Sequence, residues 1–149
     1  MIVEARVTIA ASRAAVWATM TDIERAAQIL TGVEAIEIVE KPASGIVGLR
    51  WRETRMYFGE PATVEKRITK ATETGSYETR AQIEEYVFVS TMTLSGEDGA
   101  TTLTSAHETQ PQGFVARLKS IPMVFFKGVL RKALLQDLND IKRAAENVE

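Results

Sequence analysis

The sequence predicts an α+β fold: a seven-stranded antiparallel curved sheet wrapped around a long C-terminal helix, with two short helices between the first and second strands. Three observations predict it. Strict two-residue alternation opens the chain, a middle section rich in Val, Ile, Thr, Tyr and Phe is punctuated by Gly and Pro, and an apolar repeat of three to four residues closes it. With 149 residues and no repeat, linker or low-complexity tract, residues 1–149 read as one domain. A domain of this size buries roughly 70% of its unfolded surface, enough for a core and a cavity.

Val3, Ala5, Val7 and Ile9 alternate with Glu4, Arg6 and Thr8, the mark of a strand with one buried face. Ser12 then stands where an N-cap belongs, ahead of Ala14, Ala15, Val16, Trp17, Ala18 and Met20. Thr21-Asp22-Ile23-Glu24 fits a capping box opening a second helix through Ala26, Ala27, Ile29 and Leu30, with Gly32 closing it. Between Val33 and Gln110 the turn signals near Pro42 to Gly48, Gly59 to Pro61, Gly75 and Gly96 to Gly99 divide the chain into six strands, and Asp98-Gly99 joins the last two.

After Pro111 and Gly113 the period changes. Phe126, Leu130, Leu134, Leu138, Ile141 and Ala145 form the stripe of a long amphipathic helix. Pro122 cannot continue that helix backwards, so the segment before it is expected to be a separate turn or a kinked first portion. The apolar run Ile121 to Phe126 is far shorter than the ~20 residues a bilayer crossing needs, and it reads as core or pocket mouth. Lys127, Arg131, Lys132, Lys142 and Arg143, interleaved with Asp137 and Asp140, read as a solvated face.

Composition narrows the function. Lys and Arg total 18 against 20 Asp and Glu, so the cationic excess that drives nucleic-acid binding is missing. No cysteine is present, which removes disulfides, thiolate metal ligands and a cysteine nucleophile. Acid and base at Glu4 and Arg6 interrupt what a secretory signal would need. The expectation is a cytoplasmic protein without nucleic-acid partner, stable membrane insertion, cofactor or metal site; homodimerisation stays open.

A strongly twisted sheet curls, and one helix laid across its concave face leaves volume unless large side chains fill it. Ala11-Ser12-Arg13-Ala14-Ala15-Val16-Trp17 with Thr21-Asp22 resembles the first helix of the START-like, or SRPBCC, superfamily. Gly99 to Thr104 is similar to its last strand, and Leu130 to Leu138 to its C-terminal helix. The resemblance covers the whole chain and implies a helix-grip fold, shared by polyketide cyclases and dehydrases, pollen-allergen-like carriers and lipid-transfer domains. The glycine-rich loop of the allergen-like members is echoed only by Ser44-Gly45-Ile46-Val47-Gly48, and no catalytic motif carries over.

The third strand concentrates the chemistry. Leu49, Trp51, Glu53, Arg55 and Tyr57 share one face, expected inward, and Arg50, Arg52 and Thr54 share the other. Glu53 and Arg55 then lie about 6.5–7 Å apart along the strand, within pairing reach. The pair reads either as a structural ion pair at the sheet rim or as an anchor for the polar end of an apolar guest. In either case the nearby cation is expected to outweigh burial and leave Glu53 a poor general base.

The single histidine, His107, alternates with Leu103, Ser105 and Thr109 and is expected to face the cavity, with Ser105 or Glu108 as neighbours. It is the one weak catalytic candidate, though a lone strand histidine is more often a hydrogen-bonded wall residue or simply exposed, and Glu108 points to the opposite face. Aromatic and methionine side chains at Trp17, Tyr77, Tyr86, Met123 and Phe125 serve a pocket or a core equally well.

The expected ligand-binding set is Trp51, Glu53, Arg55, Tyr57, Phe88, Met92, His107 and Phe126. The first function read from it is binding or transport of a small hydrophobic or amphipathic molecule. Its alternatives are a cyclase or dehydratase in which His107 relays protons while Arg55 and Tyr57 polarise a carbonyl, and a co-chaperone-like interaction module working through its outer surface.

Overall fold

In the computed structural model the opening alternation becomes strand β1 (Ile2–Ile9), with Val3, Ala5 and Ile9 buried. The structure describes residues 1–57 and 59–148, and for 120, 121, 123 and 148 the backbone alone; the side chain of Met123 thus lies outside the described residues. Ser12 caps helix α1 (Arg13–Met20), its hydroxyl accepting from the Ala15 N–H. Val16 and Met20 are the residues this helix buries.

The capping box expected at Thr21 does not form. Thr21 terminates α1 instead, its hydroxyl donating to the Trp17 carbonyl at 2.7 Å. Thr21 keeps helical dihedrals (φ −97°, ψ 0°), whereas an N-cap residue is extended. The second helical segment is accordingly a 3-10 turn (Ile23–Arg25) running into the short helix α2 (Ala26–Ile29), which ends before Gly32 with Leu30 already extended.

Six strands follow: β2 (Val33–Glu40), β3 (Arg50–Tyr57), β4 (Glu60–Thr72), β5 (Ser76–Ile83), β6 (Tyr86–Glu97) and β7 (Ala100–Pro111). All pair antiparallel in the order β1-β7-β6-β5-β4-β3-β2. Every connection from β2 to β7 is therefore between neighbours, and β1 closes beside β7. Gly99, with φ +85°, turns β6 into β7 at the predicted Asp98-Gly99. Register shifts in the β2–β3 and β4–β5 pairs mark bulges, which sharpen the bend of that half of the sheet.

Helix α3 (Phe114–Ser120), a 3-10 stretch (Ile121–Phe126) and helix α4 (Lys127–Val148) complete the chain. The interruption falls around Pro122, as its missing N–H demands. Leu138, Ile141 and Ala145 bury one face of α4 in a core shared with Ile9, Val16, Trp51 and Leu103.

Acidic residues of α4 tie it to the rest. Glu146 accepts from the Ala10 N–H at 2.8 Å. Asp140, 3% exposed, accepts from both the N–H and the hydroxyl of Thr31 at 2.9 Å. Asp137 takes Arg55 of β3. The reading of Asp137 and Asp140 as part of a solvated face is thus corrected, because each meets a donor offered by the loop after α2 or by β3. Asp140→Ala is expected to lower the unfolding free energy by about 1–3 kcal/mol, since it strands the Thr31 N–H, and Asp140→Asn by less. Denaturant titration measures both; an alanine variant as stable as the parent would remove Asp140 from the clasp.

Candidate ligand cavity

Residues opposite one another in an antiparallel ladder point to the same side, so the register specifies the concave face. Trp51 lies opposite Lys66, and Glu53 opposite Val64. Ile68 faces Thr79, Thr79 faces Ser90, and Ser90 faces His107. Helix α4 covers this surface with Leu130, Leu134, Leu138 and Ile141, and one side is closed by Met20 of α1, Ile23 of the 3-10 turn and Leu30 just after α2. A cavity of about 360 Å³ remains between these walls, toward the lower end of the range usual for small-molecule sites.

Of the residues expected on the inner surface, Trp51, Glu53, Arg55, Tyr57, Phe88, Met92 and His107 all line this cavity. Tyr57 and Met56 stand half exposed at the end of β3, and Ala133 and Gln136 of α4 are exposed as well. These lining residues that also meet solvent mark the mouth. Phe126 lies elsewhere: it is 58% exposed and does not line the cavity. The helical stripe that predicted it begins only at Lys127, and the tighter 3-10 winding before it turns Phe126 away from the Leu130 face.

One end of the cavity holds a charge cluster. Glu53, 6% exposed, receives Arg55 Nε at 2.7 Å and Lys66 Nζ at 2.8 Å on one carboxylate oxygen, and the Trp51 indole N–H at 3.3 Å on the other. The two terminal nitrogens of Arg55 donate to the two oxygens of Asp137 at 3.2 and 2.8 Å. This bidentate geometry suits the planar guanidinium better than any amine. Gly32 makes room for it, since a Cβ there would lie 3.0 Å from Arg55 Nη1.

Burial pushes the Glu53 carboxyl up, but Lys66 and Arg55 together outweigh it and hold the group at about 2. Burial likewise opposes the Arg55 charge, and Asp137 and Glu53 reverse that and raise its pKa. The cluster is therefore two anions and two cations at neutral pH. Glu53 is no general base there.

His107 belongs to a second polar group. Its Nδ1 lies 2.9 Å from the Ser90 hydroxyl, and its ring stacks on Phe88 with centroids 5.9 Å apart and planes 26° from parallel. Its partner is thus Ser90 on the neighbouring strand rather than Ser105 or Glu108. Burial, aided by the charge of Lys66, pushes the imidazole down to about 4. The ring is neutral at physiological pH.

Lys66, Asp137 and Ser90 were missed by sequence reasoning. A lysine between Val64 and Ile68, and an acid within the stripe from Leu134 to Ile141, were visible signals of inward charge. Ser90 carried none, because only the β6–β7 register sets it opposite His107.

These shifts have a direction in stability. His107 is neutral in both states above its ordinary value of 6.5; as pH falls toward 4, only the unfolded chain takes up the proton, so stability falls through that window. Glu53 is ionised in both states above 4.5, and its contribution is lost as pH drops from there toward 2. Between pH 7 and pH 5 the parent is expected to lose up to about 2 kcal/mol more than His107→Gln. Urea unfolding at the two pH values compares them, and identical pH dependence would exclude a buried, neutral imidazole.

The chain matches the family model described as polyketide cyclase / dehydrase and lipid transport over residues 1–146. No curated protein matches it by sequence. Among solved structures, an aromatase/cyclase from Streptomyces is similar at 22% identity and a TM-score of 0.75, covering 98% of this chain and 93% of its own. Norcoclaurine synthase from Thalictrum flavum, solved with dopamine and hydroxybenzaldehyde, aligns at 15% identity and a TM-score of 0.72, covering 100% and 88%. A START superfamily protein from Mycobacterium smegmatis aligns at 18% identity and a TM-score of 0.69, covering 98% and 94%. At these identities the likeness is one of fold, while the family match spans nearly the whole sequence. The chain belongs to the polyketide cyclase / dehydrase and lipid-transport family.

Proposed function

We propose that this protein binds a small amphipathic molecule in the cavity between sheet and helix α4. The observation that carries the reading is a 360 Å³ interior whose apolar walls meet a polar side already neutral within itself. An ordinary core closes such a volume, because every unfilled void forfeits packing. A retained one fits a guest.

The donors left inside describe that guest. An ammonium carries three N–H groups, and among the described residues Glu53 is the acceptor for Lys66. Neutral His107 engages Ser90 through Nδ1, which leaves Nε2 for a second partner. With the charges balanced, a further cation would be desolvated without a counter-ion. A molecule with an apolar body and a hydrogen-bonding oxygen meets these constraints.

The cyclase or dehydratase alternative needs His107 to relay protons at neutral pH. An imidazole held at about 4 is a weak base there, and its ring partners are a serine and a phenylalanine rather than a carboxylate that would raise its basicity. His107 acts as a wall group that orients the guest.

An apolar fluorescent probe is expected to bind the parent protein. Ala81→Phe, which places a ring into the cavity opposite Phe88, should weaken binding at least about tenfold, the worth of roughly 1.4 kcal/mol, with the far-ultraviolet circular dichroism unchanged. Native mass spectrometry of the purified protein checks for a guest carried through. A probe that binds the Ala81→Phe variant equally well would place the site outside the cavity.

A further inference from the structure

Much of the apolar surface this protein exposes is gathered in one stretch of chain. Phe114, Leu118, Val124, Phe125, Phe126 and Val129 are each more than half exposed, Phe125 reaching 84% and Phe114 76%. They lie on three successive elements, α3, the 3-10 stretch and the first turn of α4. Single exposed apolar residues need no explanation, but a contiguous group marks an interaction surface.

The charge of the same stretch says what it meets. From Gly113 to Gln136 there are five cations, Arg117, Lys119, Lys127, Arg131 and Lys132, and no Asp or Glu. The rest of the chain holds 13 cations against 20 anions. Lys119 touches Glu85 at 3.3 Å, and Arg131 donates to the Glu4 carbonyl; both are exposed contacts, which leave the positive sign of the surface intact. Exposed aromatics interleaved with Lys and Arg are the composition of segments that lie in a membrane interface, rings at the headgroup boundary and cations on anionic lipid. An acidic protein partner would match the charge but not the two phenylalanines standing clear of the surface.

We propose that residues 114–132 dock this protein on an anionic lipid bilayer. Attachment is peripheral: among the described residues no helix is long and apolar enough to cross a membrane. The surface adjoins the cavity mouth, since Leu130, next to Val129, and Ala133, one turn beyond it, both line the cavity. Docking brings the mouth to the lipid, a source or acceptor for an apolar guest. The docking itself concerns the outer face and does not depend on the cavity being a binding site.

Flotation of the full-length protein with vesicles of phosphatidylcholine and phosphatidylserine, against pure phosphatidylcholine, tests it. The protein is expected to float with the anionic vesicles, less so as salt is raised, and hardly at all with the neutral ones. A Phe114→Ser/Phe125→Ser variant is expected to lose at least about tenfold in vesicle affinity, and an independent Lys127→Glu/Lys132→Glu variant about as much or more. Both should keep the circular dichroism and the cavity-probe binding of the parent, so failure here is separable from failure of the cavity reading. Absence of flotation, or flotation that both variants retain, overturns the proposal. So does sedimentation showing a dimer that dissociates in the serine variant while vesicles are ignored, since the patch then belongs to a second copy of the chain.

Discussion

Arg55 spans the space between the sheet and the C-terminal helix, with one nitrogen on Glu53 of its own strand and two on Asp137 across the interior. A buried charge without a partner costs several kcal/mol, and truncating one member of such a group typically costs about 3–5 kcal/mol. Each partner therefore fixes the others in place. The consequence is a strut: helix α4 cannot settle onto β3 and fill the interior without unpairing the guanidinium. Gly32 supports the arrangement from the side, being the residue type that leaves the guanidinium its path.

Lys66 makes this strut part of a charge-balanced group. With Arg55 alone, two carboxylates would share one cation and the site would carry a net negative charge at its driest point. Lys66 balances it, and its field reaches far enough to help keep His107 uncharged. The interior thus has little net charge but many oriented dipoles and donors. Under the proposed binding function, such a surface selects by hydrogen-bond geometry and shape more than by charge.

The architecture was legible in the sequence because each element carried its own period: alternation for β1, turn residues at Asp98-Gly99, the α4 stripe from Leu130. The inner face of β3 followed from alternation as well, which brought Trp51, Glu53, Arg55 and Tyr57 to the cavity together. What depended on other strands was not legible. Ser90 meets His107 only through the β6–β7 register, and helical spacing alone sets Asp137 in a surface series, because it does not say which acid has a buried cation opposite. Phe126 failed for a local reason, since the stripe was carried four residues back across a segment that Pro122 keeps out of the α-helix.

That last departure bears on the whole molecule. Packing alone favours folding exposed aromatics into an unfilled cavity, which removes a void and a greasy surface at once. The geometry forbids it. Pro122 breaks the helix, the 3-10 stretch swings Val124, Phe125 and Phe126 outward, and α4, starting at Lys127, is committed to β3 through Asp137 and to the loop after α2 through Asp140. Interior volume and exterior apolar surface are thereby kept apart by covalent and electrostatic constraints, yet they adjoin at the first turns of α4.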